Sequence, residues 1–206
     1  GSEGAGVPIR RPFPGALTMA AADPFILLDH AGPTLNGPGE TKGAQWHPHR
    51  GFETVTYMLD GELAHRDTTG GGGVIAEGET QWMTAGRGIQ HEELPTEQLY
   101  KNGGLFQAVQ LWVNLPPALK MTTPRYQPIT TESLRLLTTH DGGALIRLIA
   151  GNVAGFEGAG TTHTPITYAH ATIAPGARLE IPWTPEFNAL VFVLAGHGTI
   201  GAEDRP

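Results

Sequence analysis

His47 and His49 stand one residue apart across Pro48, in the run Trp46-His47-Pro48-His49-Arg50-Gly51-Phe52-Glu53-Thr54. On an extended strand, side chains two apart share a face. The proline keeps the segment extended and removes one ladder donor. His91-Glu92-Glu93 offers a second pair of donors further on. Each pair can aim two donors into one cavity, so two neighbouring strands present four. Three imidazoles and a carboxylate suit a divalent first-row metal, with iron leading where O2 is a reactant.

The rest of the chain supplies the strands that such a site needs. Phe25 to Asp29, Thr54 to Leu59, Glu62 to Asp67, Gln81 to Thr84, Ile89 to Leu94 and Phe106 to Asn114 are short apolar or β-branched runs separated by turn clusters. With 29 glycines and 17 prolines in 206 residues, this spacing predicts an all-β antiparallel barrel or sandwich. The Gly70 to Gly73 tract reads as a flexible connector and not a phosphate loop, since no Lys-Ser/Thr and no helical pattern follows it. Residues 1–20 read as an N-terminal arm, 21–117 as a metal-binding domain, 118–140 as a linker and 141–206 as a second, partial domain. Thr131 to Leu137 is expected to form a short helix. Strands are expected to resume at Ala144 to Ala150, Tyr168 to Ile173 and Ala189 to Leu194.

An internal echo supports the division. Val55-Thr56-Tyr57-Met58-Leu59-Asp60-Gly61, followed by Asp67, resembles Leu190-Val191-Phe192-Val193-Leu194-Ala195-Gly196, followed by Glu203, at an offset of 135 residues from Val55 to Leu190. The same offset puts Pro182 and Thr184 where His47 and His49 stand, so the second copy lacks the donors. A counterpart of Thr68 through Asn114 does not follow, which predicts an incomplete second barrel. Its open edges would be completed by another chain or would favour self-association.

Composition removes several function classes. Without cysteine, disulfides, zinc-thiolate sites and thiol nucleophiles are excluded, and His and carboxylate remain as ligands. A net charge of −7 and no Lys/Arg cluster argue against direct nucleic-acid binding or an anionic membrane surface. No apolar run reaches the length of a membrane span, and the expected compartment is the cytosol. His30, His65, His140, His163, His170 and His197 have no donor at useful spacing and read as structural.

Spacing leaves the carboxylate open. Glu53 shares the face of His47 and His49 if the strand is continuous, and Glu93 shares the face of His91, whereas Glu92 points away. General cupin motifs place a glutamate three or four residues after His-x-His, which favours Glu53.

His47-Pro48-His49-Arg50-Gly51-Phe52-Glu53-Thr54-Val55, Gln81-Trp82-Met83-Thr84-Ala85-Gly86-Arg87-Gly88-Ile89, His91-x-Glu93 and Gln110-Leu111-Trp112-Val113-Asn114-Leu115 together resemble the pirin family of bicupins. That resemblance covers most of residues 25–200. It implies a cupin-superfamily fold of two tandem antiparallel jelly-roll barrels, and the ligand set His47, His49, His91 and Glu93. It further implies a quercetin 2,3-dioxygenase-like oxidoreductase: a ferrous site that opens the heterocycle of a flavonol with O2 and releases carbon monoxide. Glu93 would take the substrate hydroxyl proton, while Arg50, Phe52, Met83 and Gln110 would line the substrate pocket. The partners would be an aromatic small molecule and O2. Some family members act instead as redox-sensitive, metal-binding partners of transcription factors or metabolic enzymes, which gives a second, non-enzymatic reading. Glu92, between the two ligands, is a departure that would add negative charge at the rim.

Overall fold

The computed structural model describes residues 1–15 and 17–201. The strands are β1 (Ser2–Glu3), β2 (Val7–Phe13), β3 (Phe25–Asn36), β4 (Ala44–His49), β5 (Phe52–Asp60), β6 (Leu63–Asp67), β7 (Gly72–Ile75), β8 (Thr80–Thr84), β9 (Ile89–Pro95), β10 (Gly104–Asn114), β11 (Arg125–Ile129), β12 (Arg135–Thr138), β13 (Ala144–Ala150), β14 (Asn152–Val153), β15 (Phe156–Glu157) and β16 (Tyr168–Ile173). Among the described residues two short α-helices, α1 (Met19–Ala22) and α2 (Glu97–Asn102), begin on Thr18 and Thr96, whose hydroxyls accept from Ala21 N and Leu99 N.

A seven-stranded sheet, β1-β2-β3-β10-β5-β8-β11, faces a four-stranded sheet, β4-β9-β6-β7. A third sheet, β12-β13-β16, forms the C-terminal part. All these ladders are antiparallel, as the turn-rich sequence predicts.

The seven-stranded sheet is covered on both faces, which explains why β5 is buried along most of its length, polar residues included. Alternation along β5 sends Val55 and Tyr57 to one side, where they pack with Trp82, Leu111, Val113, Ile129, Ile149 and Ile166. Thr54, Thr56 and Met58 face the other way, into the barrel. Met58 closes one end of the barrel with Leu63, Ile75, Leu99 and Phe106. Fully burying residues such as Val55 and Trp82 (both 0% exposed) stabilises the fold by roughly 1.5–3 kcal/mol each. These contacts join the barrel to β13, and Tyr57 Oη lies 2.9 Å from His170 Nδ1 on β16.

The 1–20 segment, read as an arm ordered by docking, is docked on β3: β2 pairs with that strand, and the Arg11 guanidinium donates to both carboxylate oxygens of Asp29 at 2.7 and 2.6 Å. Several segments differ from the sequence expectations. The 118–140 segment contributes β11 to the seven-stranded sheet and β12 to the C-terminal one. No helix forms at Thr131 to Leu137. Instead Ser133 N and Leu134 N donate to Thr130 O in a single turn, and Arg135 to Thr138 pairs with β13 because that ladder satisfies more backbone groups than a short isolated helix would. Half of the Gly70 to Gly73 tract belongs to β7. Ala189 to Leu194 forms no strand among the described residues: no ladder partner faces it, and Leu190, Val191 and Val193 are exposed. Glu203, the end of the internal echo, lies outside the described residues.

Candidate metal centre

β4 and β9 are adjacent, and His47 stands opposite His91 in their ladder. A register shift between Ala44 and His47 marks a bulge, a local device that re-aims side chains. β4 is the edge strand of its sheet, where Pro48 costs no central ladder bond. His47, His49 and His91 converge, with one ligand atom from each lying within 4.8 Å of the others. Their ring centroids are 4.5 Å (His47–His91), 4.7 Å (His47–His49) and 5.0 Å (His49–His91) apart.

Glu93 enters from the next inward position of β9. Its Oε2 is 4.0 Å from His91 Nε2. Thr56 Oγ1 donates to Glu93 Oε1 at 3.2 Å and Gln110 Nε2 donates to Oε2 at 3.4 Å. The indole of Trp112 donates to Gln110 Oε1 at 3.1 Å. An indole N–H can only donate, so this bond turns the Gln110 amide nitrogen toward the carboxylate.

The donor chemistry fits a divalent cation. His47 Nδ1 is 2.6 Å from Gln45 O; a carbonyl only accepts, so Nδ1 carries the proton and Nε2 keeps its lone pair. His49 Nε2 and both ring nitrogens of His91 are buried and have no hydrogen-bond partner among the described residues. Such orphaned atoms are costly unless something binds them. Burial, then the neighbouring imidazoles, lower the His49 pKa to about 3. Burial, then His47 and His65, lower that of His91 to about 4. Both rings are thus held neutral, the form that ligates. Burial pushes the Glu93 carboxyl up, against the opposing pull of His47 and of the Thr56 bond. A cation at this point would relieve each of these conditions.

Glu53 does not reach the cluster. The chain turns at Arg50-Gly51, where Gly51 has φ +79°, a conformation that favours glycine. β4 and β5 are therefore separate strands, and Glu53 falls on the Val55/Tyr57 face of β5. Its Oε1 accepts from Thr84 Oγ1 at 2.6 Å. Glu92 is not a free charge at the rim either: it is buried and ion-paired with Arg66, which also lies over the Trp46 ring.

Among the expected pocket residues, Phe52 and Gln110 adjoin the histidines. The Phe52 ring is 5.3 Å from that of His49. Met83 is fully buried and packs with Ala85, Ile89 and Tyr126. Arg50 is exposed, with Nη2 3.5 Å from Met121 Sδ. Sequence reasoning missed Thr56 and Trp112. The Trp112 ring stacks on Phe52 (4.6 Å, 29°) and meets His49 edge-on at 5.2 Å. Its position two residues after Gln110 was the available signal, since both fall on one face of β10.

A His-rich site carried by one sheet and roofed by another, inside an antiparallel jelly roll, defines a cupin-type barrel with a candidate metal site. The pirin family model matches residues 6–113. A pirin-like protein of Arabidopsis thaliana is 43% identical over 97% of this chain and 61% of its own length. Human pirin is 36% identical over 98% of this chain and 66% of its own length. The 1.88 Å crystal structure of quercetin 2,3-dioxygenase from Acinetobacter baumannii superimposes with a TM-score of 0.75 at 44% identity, over 80% of this chain and 57% of that one. The chain belongs to the pirin family. It spans 61% of the Arabidopsis relative and 57% of the crystallised dioxygenase.

Proposed function

We propose that this chain is the metal-binding part of a dioxygenase that opens the heterocycle of flavonols, with His47, His49, His91 and Glu93 as ligands and ferrous iron as the metal. The observation that carries the reading is the convergence of three imidazoles, two of them held neutral by burial, beside a buried carboxylate. The similarity to a structure named as a quercetin 2,3-dioxygenase supports it. Iron held by these donors would supply open positions where O2 and a substrate oxygen meet.

The chain's own residues do the remaining work. The Phe52/Trp112 stack presents a flat aromatic wall beside His49, suited to a planar polyphenol. Glu93, whose pKa burial raises, accepts the proton of a substrate hydroxyl onto a carboxylate oxygen. Thr56 and Gln110 keep that carboxylate aimed while it changes charge. Sheet on sheet excludes bulk water from the carboxylate, which is 6% exposed.

The domain division extends this proposal: the barrel before residue 118 holds the chemistry, and the part after residue 140 covers the Val55/Trp82 face, with no metal-holding cluster among its described residues. The compartment proposed is the cytosol; among the described residues no helix is long and apolar enough to cross a membrane. Oxygen uptake by the iron-loaded chain in the presence of quercetin tests the activity. Consumption of one O2 per flavonol with carbon monoxide release supports it, and no turnover of any flavonol removes it.

A further inference from the structure

Lys120 lies in the segment read as a linker, at the end of the one-turn helix Pro117–Leu119, and its side chain turns back toward the start of β5. Its ammonium donates to Gly51 O at 2.9 Å and to Asn114 Oδ1 at 2.7 Å. These acceptors belong to the two strands that carry the aromatic wall. Gly51 is the residue before Phe52, and Asn114 stands opposite Phe52 in the β5–β10 ladder. Asn114 is also two residues after Trp112, on the face of β10 that carries Gln110 and Trp112. One cation thereby joins the start of β5 to the end of β10 where the Phe52 and Trp112 rings stack.

The turn after His49 depends on such outside anchors. Gly51, at φ +79°, has no side chain with which to hold it, and Lys120 fills that side: its Cδ and Nζ lie 3.8 Å from where a Cβ would stand. Gly51 N donates to Gly86 O at 2.7 Å, and Arg87 N donates to Thr122 O at 2.9 Å. The turn at Gly51, the turn at Gly86 and the loop that carries Lys120 are thus bonded to one another in a closed ring. Among the described residues no carboxylate pairs with Lys120. Its charge is directed at two neutral oxygens, in charge-assisted bonds stronger than those between neutral groups.

We propose that Lys120 is a positioning residue for the aromatic wall: it ties Gly51 to Asn114 and so fixes the Phe52/Trp112 stack on which a planar substrate would lie. The inference rests on the flavonol reading of that wall, and the test separates the two claims.

Lys120→Met keeps most of the stem and removes the donors, whereas Lys120→Arg keeps both the charge and donors. The iron-loaded full chain is assayed with quercetin. In parallel, the zinc-loaded full chain with isotope-labelled tryptophan gives the Trp112 indole N–H signal by NMR, identified by its loss in Trp112→Phe. In Lys120→Met, KM is expected to rise about tenfold with a smaller fall in kcat. The Trp112 signal is expected to shift or to exchange faster with solvent, while iron content stays at the unsubstituted value. Lys120→Arg should recover most of both effects. A lysine that only stabilises the fold would lower the thermal midpoint and leave KM and the Trp112 signal in place. An unmoved Trp112 signal therefore overturns the proposal, as does an unchanged KM in a chain that turns over quercetin. Should Lys120→Met fail to fold, Asn114→Ala removes one of the two acceptors and is read in the same way, with changes in the same direction and smaller. If the unsubstituted chain turns over no flavonol, the flavonol reading fails and the Trp112 signal alone decides on Lys120: movement supports the clamp, and its absence removes it.

Discussion

Across the β4–β9 ladder His47 stands directly opposite His91, with ring centroids 4.5 Å apart. Two charged imidazoles set this close would repel one another, and burial holds His91 neutral. The arrangement makes sense as a ligand set, because a cation would give the buried, unpartnered nitrogens of His91 and His49 a partner.

The two candidate carboxylates should behave differently. Glu93→Gln removes the anion beside His91 Nε2 and is expected to weaken divalent-metal affinity by at least tenfold. Glu53→Gln changes a group bonded to Thr84 on the far face of β5 and should leave metal content unchanged. Elemental analysis of both purified variants checks this, and the reverse order would restore the general cupin pattern.

Trp112→Ala removes the ring stacked on Phe52 and the indole that orients Gln110. Loss of the aromatic surface, worth about 1.4 kcal/mol or tenfold in binding, should raise KM for a flavonol. Loss of the amide's orientation should also lower kcat. A KM and kcat equal to those of the unsubstituted protein would mean that substrate does not lie on this wall.

The metal-free protein should lose stability as pH falls below 6.5. His49 and His91 have folded pKa values of about 3 and about 4, below the 6.5 of the unfolded chain. Between these values the unfolded state binds more protons, so unfolding becomes easier as pH drops. Each pH unit inside the window costs up to about 1.4 kcal/mol per group. Thermal melts of the apo protein from pH 7 to pH 4 should show a falling midpoint, reduced in His49→Ala. A midpoint that does not move over that range would contradict the buried, neutral state of both rings.

Tyr57→Phe deletes the hydroxyl bonded to His170, a link between the barrel and the C-terminal sheet. A net loss of about 1 kcal/mol is expected, read as a lower denaturation midpoint with metal affinity unchanged. Loss of metal along with the midpoint would show that the C-terminal sheet shapes the site.

That His47 shares a face with His49, and His91 with Glu93, was legible because period-two spacing on strands is a local rule: each pair needed only one strand to be read. The strand runs of the barrel followed from the same rule. What strands cannot announce is register. Nothing local says that Asp67 lies opposite His91, that Thr56 meets Glu93 from the opposing sheet, or that Tyr126 arrives from a segment that reads as a linker. Glu53 illustrates the same limit, since its face depended on whether the strand continued through Gly51. Thr131 to Leu137 was lost to a ladder with β13, a tertiary partner that outweighs weak helical periodicity.

The most direct test is the metal content of His47→Ala and His91→Ala beside the unsubstituted chain, each purified without added metal and then titrated with ferrous iron. The unsubstituted chain should bind one iron per chain, and both variants should fold and lose tight binding. Full, tight iron binding by either variant would contradict a centre built on the β4–β9 histidines.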